Sequence, residues 1–336
     1  MRAAYVAAPG QQPEIFSTAG LPEARRIELW ESHNAAALIG LNCCTTGQAP
    51  LEATELNLQF GQVRLARVAA SPHVVERTLR VVGRAPADAV AVYLTIRGTA
   101  WFEQGDCSRS LRPGHVLICD ADQPFARGFA RGLEELAIKV PRTVFAEYSG
   151  RETLSTPVIA DFASGTDPYA RALARLAGRA ARRVRSVAAD ERAILELVAV
   201  LAARNAVSPA LAHRAAARAF IEEHLTDPGL SAGQVAAAIG VSERHLSRVF
   251  AADGTSIPRH VLGRRLQLAY TMLADPASAG PAVEDVSGCC GFTSPAYFSH
   301  VFRRHFGERA AEVRCQARQY PGVSAPSHFR HPGRER

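Results

Sequence analysis

The sequence predicts an α+β chain: a β-barrel with helices after it, then an all-α C-terminal domain built on two helix-turn-helix units. Three observations carry this prediction. Short runs of period-two alternation, separated by Gly and Pro, fill residues 50 to 140. Ala- and Arg-rich helical periodicity replaces them from 165 to 206. From 231 to 307, an amphipathic helix, a glycine turn and a second amphipathic helix occur twice.

In order along the chain, residues 1–20 are rich in Pro, Gly, Gln and Ala and read as a flexible arm. Residues 22–38 read as a helix. In Val90–Arg97, Val90, Val92, Leu94 and Ile96 share one strand face. Leu111–Cys119 is a turn feeding a strand, and Leu136–Val140 alternates again. Such strands between turns predict a small barrel or jelly roll. Ile194, Leu197, Val198 and Leu201 then mark one helix face. Arg171, Arg175, Arg179 and Arg182 stripe another helix, either as a solvated face or as a contact to DNA or a partner. Asn205–Pro209 reads as a linker, and the tail beyond Gln319 reads as disordered.

Bulk properties narrow the function. A chain of 336 residues with 47% hydrophobic composition forms two folded domains rather than a disordered segment. The net charge of +7 is compatible with nucleic acid without requiring it. Lys139 is the sole lysine, so arginine, whose fork fits phosphates and guanine edges, supplies the positive charge. No apolar run is long enough for a membrane span and no secretory leader is evident, which predicts a cytoplasmic protein. The seven cysteines lack metal-finger spacing; they read as reduced thiols or, alternatively, a redox switch.

In the first repeated unit, Ser231 and Gln234 form a predicted capping box. Val235, Ala236 and Ile239 make its buried side, and Gly240 supplies the turn. Ser242 caps the next helix, whose inner face is Leu246, Val249 and Phe250. Glu243, Arg244, His245, Ser247 and Arg248 point outward, suited to base edges and phosphates. In the second unit, Gly280-Pro281 starts a helix, Gly291 makes the turn, Ser294 caps and Pro295 opens the second helix. Phe298, Val301, Phe302 and Phe306 form its core face, leaving Thr293, Ala296, Tyr297, Ser299, His300, Arg303 and Arg304 outside or at the rim. Between the units, Pro258–Ala274 reads as one helix, a rod of roughly 25 Å at ~1.5 Å per residue. Such a strut sets two reading helices about one DNA turn apart, near 34 Å. On it, Arg264 and Arg265 are either internal ion-pair partners or phosphate contacts.

These residues resemble the DNA-binding domain of the AraC/XylS family of bacterial transcription regulators over 231–314. The landmarks are Ala236, Gly240, Val241, Ser242 and Leu246, then Arg264–Ala269, then the specific string Cys290–Gly307. Ser287 and Ala310 depart from the usual alanine and proline. More loosely, Arg77-Thr78, Leu111–Phe125 and Val140-Pro-Arg142 resemble the family's cupin-like effector domain. The resemblance implies an arm (1–20), a cupin-like β-barrel (21–160), a helical dimerisation segment (161–206), a linker (207–212), the DNA-binding domain (213–318) and a tail (319–336). It implies a double-stranded DNA operator, RNA polymerase, a small-molecule effector and a second copy of the chain as partners, and activation as the commoner outcome.

Within the barrel, Tyr93, Trp101, Phe102, His115 and Phe125 are the candidate effector contacts, although the parity of Tyr93 opposes its strand's apolar face. Two rival readings remain: an effector-independent DNA-binding regulator whose barrel only assembles copies, and a cupin-type enzyme. The second is disfavoured because His73 and His115 stand alone, with no His-x-His pair and no catalytic glycine motif, so no metal or cofactor is expected.

Overall fold

The computed structural model describes residues 13–164, 167–182, 188–203, 208–274 and 282–319. The chain divides into two compact units, Met1–Ala219 and Phe220–Arg336.

The first unit contains two antiparallel sheets. The seven-stranded sheet has the order β1 (Glu14–Ser17), β3 (Ala53–Phe60), β4 (Val63–Ala70), β11 (Leu133–Pro141), β6 (Ala89–Arg97), β9 (His115–Asp120) and β12 (Val158–Asp161). The five-stranded sheet has the order β2 (Asn42–Thr45), β5 (His73–Arg77), β10 (Phe125–Phe129), β7 (Ala100–Gln104) and β8 (Cys107–Leu111). Helix α1 (Arg26–Ala37) precedes β2, the short α2 (Leu79–Arg84) follows β5, and α3 (Arg142–Ser149) follows β11. Helices α4 (Pro168–Arg182), α5 (Ala188–Ala203) and α6 (Pro209–Glu223) come after β12.

The larger sheet is buried on both faces, which is why β6 shows continuous burial from Ala89 to Thr95. Val90, Val92 and Leu94 pack with Leu173, Leu176, Ile194, Leu197 and Leu201 of α4 and α5. The intervening Ala91 and Tyr93 pack with Phe102, Phe125 and Phe129 of the smaller sheet. Both phases of the alternation are therefore core, and the strand reaches solvent at its last two residues, Ile96 and Arg97.

Two residues that match the family's barrel pattern fasten this unit. Arg77 is fully buried and donates to the carbonyls of Ala121, Gly40 and Ala85 and to the Asp122 carboxylate. Arg142 grips Asp120 at 2.7 Å and Asp122 at 3.0 Å. Burial opposes charge on Asp122, yet the Ala87 N–H, Arg142 and Arg77 together hold its carboxyl below the ordinary range.

Three sequence expectations shift. The arm is not structureless where described: Glu14–Ser17 is an edge strand paired antiparallel with β3. The linker falls partly outside the described residues, and Pro209–Ala212 already lie in α6; the unit boundary comes after Ala219. From Ala193 to Ala203, helix α5 is buried on every side by its own chain, so that stretch presents no free face for dimerisation, while Arg192 just before it is exposed. Its single buried carboxylate, Glu196, draws in Arg192, Arg214 and Arg218 at 3.2, 3.2 and 2.6 Å.

The second unit is all helical: α7 (Ala232–Ala238), α8 (Glu243–Ala252), α9 (Ile257–Leu273), α10 (Val283–Cys289), α11 (Pro295–Phe306) and α12 (Ala310–Gln319). Gly280 and Pro281 lie outside the described residues, and α10 opens at Val283, two residues past the predicted proline, with the Ala282 N–H donating to Asp285. The tail beyond Gln319 also lies outside them. The predicted connecting rod is α9, which carries Ile257 and Val261 in its first half and Leu266, Ala269 and Leu273 in its second as buried residues.

Candidate nucleic-acid interface and barrel cavity

Each reading unit is set by local chemistry. Ser231 accepts from the Gln234 N–H while the Gln234 side chain accepts from the Ser231 N–H, completing the capping box that starts α7. Gly240, at φ +74°, makes the left-handed turn to α8, and Gly291, at φ +80°, makes its counterpart before α11. Ser242 accepts from the His245 N–H and Ser294 from the Tyr297 N–H, so both second helices begin with the same cap. Gly307, at φ +79°, ends α11.

The buried faces orient the outer ones. In α8, Leu246, Val249 and Phe250 are buried, and the Phe250 ring meets His260 of α9 edge-on at 5.7 Å. Ser242, Glu243, Arg244, Ser247 and Arg248 are exposed and His245 is half-buried. In α11, Phe298, Val301 and Phe302 are buried among Leu266, Ala269 and Leu273. Phe298 and Phe302 are 5.3 Å apart and Phe302 and Phe306 are 4.7 Å apart, a tight aromatic stack. Thr293, Ser294, Pro295, Ala296, Tyr297, Ser299, His300, Arg303 and Arg304 are all exposed, Tyr297 at 52%.

Arg264 is buried and ion-paired with Glu222 of α6, and Arg265 donates to the Leu225 carbonyl at 2.9 Å. Both lie inside the unit, which selects the internal role for them. Sequence reasoning missed Arg309 and Arg314. They line a cleft with Arg303, Arg304 and His300 at the C-terminal half of α11. Their signal in the sequence is weak: Glu308-Arg309-Ala-Ala-Glu312-Val-Arg314 carries as many acidic as basic residues.

The barrel holds a cavity between its sheets. Trp30 and Asn34 of α1 line it, with Leu38, Ile39 and Leu41 after that helix, Val68, His73, Val75, Tyr93 and Phe129 from the strands, and a buried ion pair. That pair is Arg127–Glu135, bidentate at 3.0 and 2.6 Å. The Arg127 guanidinium lies 3.8 Å from the centre of the Tyr93 ring and 5.0 Å from that of Phe129. Burial lowers the pKa of His73, whose Nδ1 meets the Ser71 carbonyl at 2.7 Å.

Of the five aromatic and polar candidates, only Tyr93 lines this cavity. Trp101 stands 39% exposed against Gly128, paired across the sheet. Phe102 and Phe125 are core, with ring centres 6.1 Å apart. His115 of β9 lies 3.9 Å from Asp161, its pairing partner on β12 at the edge of the larger sheet. Four positions thus lie off the cavity: Phe102 and Phe125 face the inner core but pack against each other, Trp101 lies on the exposed face of β7, and His115 sits at the start of β9. Arg127 was legible in retrospect: Phe125, Arg127 and Phe129 alternate on one face, an arginine between two phenylalanines.

Beside the cavity, Glu55 of β3 is fully buried, with His33 Nε2 of α1 at 3.7 Å. Burial pushes the Glu55 carboxyl up to about 7, against the Asn57 amide that favours its charge. Cys43 and Cys119 are pushed up to about 12 by burial, so neither is a reactive thiolate at neutral pH, and all seven cysteines are free. Among the described residues, no group of three or more His, Cys, Asp or Glu is placed to hold a metal ion, and no helix is long and apolar enough to cross a membrane.

Two helices with matching serine caps on one helical unit, following a two-sheet barrel with an interior cavity, define a DNA-binding transcription regulator. Residues 30–227 match the family described as the AraC-binding-like domain, and residues 235–316 match a helix-turn-helix domain. The chain belongs to the AraC family of transcription regulators. It is 25% identical to the transcriptional activator NphR of a Rhodococcus species over 265 residues, covering 74% of this chain and 76% of the relative. It is 31% identical over 94 residues to the transcriptional activator RhrA of Rhizobium meliloti (strain 1021), covering 28% and 30%. The crystal structure of the AraC-like transcriptional activator CuxR aligns at a TM-score of 0.49 with 16% identity, over 77% of this chain and 95% of that one.

Proposed function

We propose that the chain is a cytoplasmic, effector-responsive transcriptional activator that acts without catalysis. Helices α8 and α11 enter successive major grooves of an operator. Ser242, Glu243, Arg244, His245, Ser247 and Arg248 read one half of the contact, and Thr293 to Tyr297, Ser299, His300, Arg303 and Arg304 read the other. The observation that carries this reading is the matched pair of helices, each with the same serine cap, an apolar inner face and a polar, arginine-bearing outer face.

An effector occupying the barrel shifts the chain between DNA-binding arrangements, and it does so only through unequal affinity for them. The working form is a dimer that presents two copies of the reader and engages RNA polymerase at the promoter. Since α5 is enclosed within its own chain, a dimer contact from the 161–206 segment falls to the outer side of α4, where Arg175 is exposed.

The test is selection of bound sequences from random duplexes by the full chain, followed by binding to the selected site with Arg248→Ala and Arg303→Ala. Enrichment of two recognition elements about one helical turn apart, each lost with its own arginine variant, is the expected outcome. Binding that shows no preference over mixed-sequence DNA defeats the reading.

A further inference from the structure

The barrel interior contains polar atoms that its own chain does not satisfy. Across the larger sheet, the register aligns Phe16, Glu55, Val68, Glu135 and Thr95 in one row. Thr95 Oγ1 and, opposite the row, Arg127 Nε have no partner at hydrogen-bond geometry, and the Glu55 carboxylate has the Asn57 amide beside it; these atoms are sealed from solvent. A buried polar group without a partner carries a free-energy cost, and several on one face call for a partner such as a water or a ligand.

From this row and the cavity beside it, we infer that the barrel takes a compact, uncharged ligand with an apolar body and one oxygen or nitrogen acceptor, the acceptor receiving the Arg127 Nε–H. The inference rests on the effector-binding reading of the barrel. The charge argument is direct. Arg127 and Glu135 neutralise each other through both Nη atoms. An anion has to pull Arg127 off Glu135. A cation has to compete with Arg127 for Glu135, while the Tyr93 ring face it would use already carries the guanidinium. A neutral acceptor takes Nε–H and leaves both existing bonds intact. Trp30, Tyr93, Phe129, Val68 and Val75 receive the apolar body.

The cavity measures about 40 Å³. A benzene-sized guest needs roughly 150 Å³. Entry therefore moves a wall. Val68, Val75, Tyr93 and Phe129 stand on strands locked into ladders, whereas Trp30 and Asn34 stand on α1. Side chains hold that helix down: Glu31 accepts from the Cys43 N–H, and Arg64 donates to the carbonyls of Ala36 and Ala37 at its C-terminus. The wall that gives is α1, and Trp30, at 3% exposure, reports its movement.

Three probes of one shape and different charge test this: benzamide (neutral), benzoate (anionic) and benzylammonium (cationic). They are titrated into the full chain carrying Trp101→Phe, which leaves Trp30 as the only tryptophan. Readouts are Trp30 fluorescence and melting temperature. Benzamide is expected to give a saturable change, with benzoate and benzylammonium at least ten-fold weaker. Arg127→Lys keeps the charge opposite Glu135 but loses Nε–H, and is expected to weaken benzamide by about ten-fold or more, the usual weight of a charged hydrogen bond. If that variant does not fold, the charge-free pair Arg127→Met with Glu135→Gln carries the same expectation. Lys139 also lines the cavity, so benzoate is the most direct challenge. Tightest binding by benzoate or benzylammonium overturns the ligand class and leaves the effector reading standing. Unchanged benzamide affinity in both Arg127 variants overturns the role of Arg127. Silence from all three probes overturns the inference and counts against the effector reading too.

Discussion

Replacing Arg303 by alanine separates the two ways an exposed arginine can contribute. Its side chain lies on the outer face of α11, in the cleft with Arg304, Arg309 and Arg314, and no part of the Phe298–Phe302–Phe306 stack depends on it. Its removal changes folding stability by no more than about 0.5 kcal/mol. If Arg303 reads a guanine edge, affinity for the selected operator falls by about 1–3 kcal/mol, roughly 5- to 150-fold, and discrimination at one base pair relaxes. If it holds a phosphate, affinity falls for every sequence, and the slope of log affinity against log salt becomes shallower by about 0.9. Between 50 and 200 mM salt, that slope change alone alters the loss of affinity by about 3.5-fold. Fluorescence anisotropy on a labelled operator and on a scrambled duplex, at four salt concentrations, resolves the cases. Phe302→Ala serves as the contrast: it removes a fully buried ring and costs about 3–5 kcal/mol, abolishing binding through loss of the fold. The reasoning fails if Arg303→Ala leaves affinity, base preference and salt slope unchanged, or if it melts the second unit.

Further outcomes follow from the same geometry. Gly240→Ala and Gly291→Ala both force a side chain into positive φ, at about 1–2 kcal/mol each. Only at Gly291 would the new Cβ also meet the Thr226 carbonyl at 3.0 Å and Arg265 Nε at 3.1 Å, so urea unfolding should show Gly291→Ala as the more destabilised of the two. Arg264→Ala leaves Glu222 buried without its main cation; it should cost about 3–5 kcal/mol. The salt slope of DNA binding for whatever fraction remains folded should match the unaltered chain, since Arg264 is not a phosphate contact. Glu55 has a folded pKa near 7, raised from 4.5, so it takes up a proton on folding. Its contribution is fully present below about pH 4.5 and is lost as pH rises through about 7. Glu55→Gln should therefore stabilise the barrel above pH 7, by on the order of 3 kcal/mol at most, and flatten the pH dependence of melting between 4.5 and 7. A parallel pH profile in the variant would remove Glu55 as its source.

The second unit was legible because its helices each have one wet side. Ser242, Ser294, Gly240 and Gly291 are punctuation that a helix on a small core cannot omit, and the apolar spacing in α8 and α11 separates inside from outside without ambiguity. The boundary misread has a cause of the same kind. In the sequence Pro209 reads as a break, yet proline is at home in the first turn of a helix, and α6 begins there. Arg264 could not be resolved from sequence, because an arginine among apolar positions pairs inward only if a carboxylate far away in the chain meets it, and Glu222 is 42 residues earlier.

The barrel interior was hard to read for the opposite reason. When both faces of a sheet are covered, hydrophobic alternation stops marking the core and marks only which of two cores a side chain joins. Tyr93 seemed to point the wrong way because Val90, Val92 and Leu94 face the helices, while its own face is the inner one. What distinguishes the inner face is polarity: Glu55, Tyr93 and Glu135, with Arg127 of the facing sheet opposite them, occupy positions that a purely structural core would fill with aliphatic residues. The helix side of the same sheet, with Val63, Leu65, Val90, Val92, Ile118 and Ile138, is such a core. One sheet, made from the same strands, thus has one face optimised for packing and one that carries polar groups it cannot satisfy alone. Stability by itself gives no reason for that asymmetry, and binding at the inner face does.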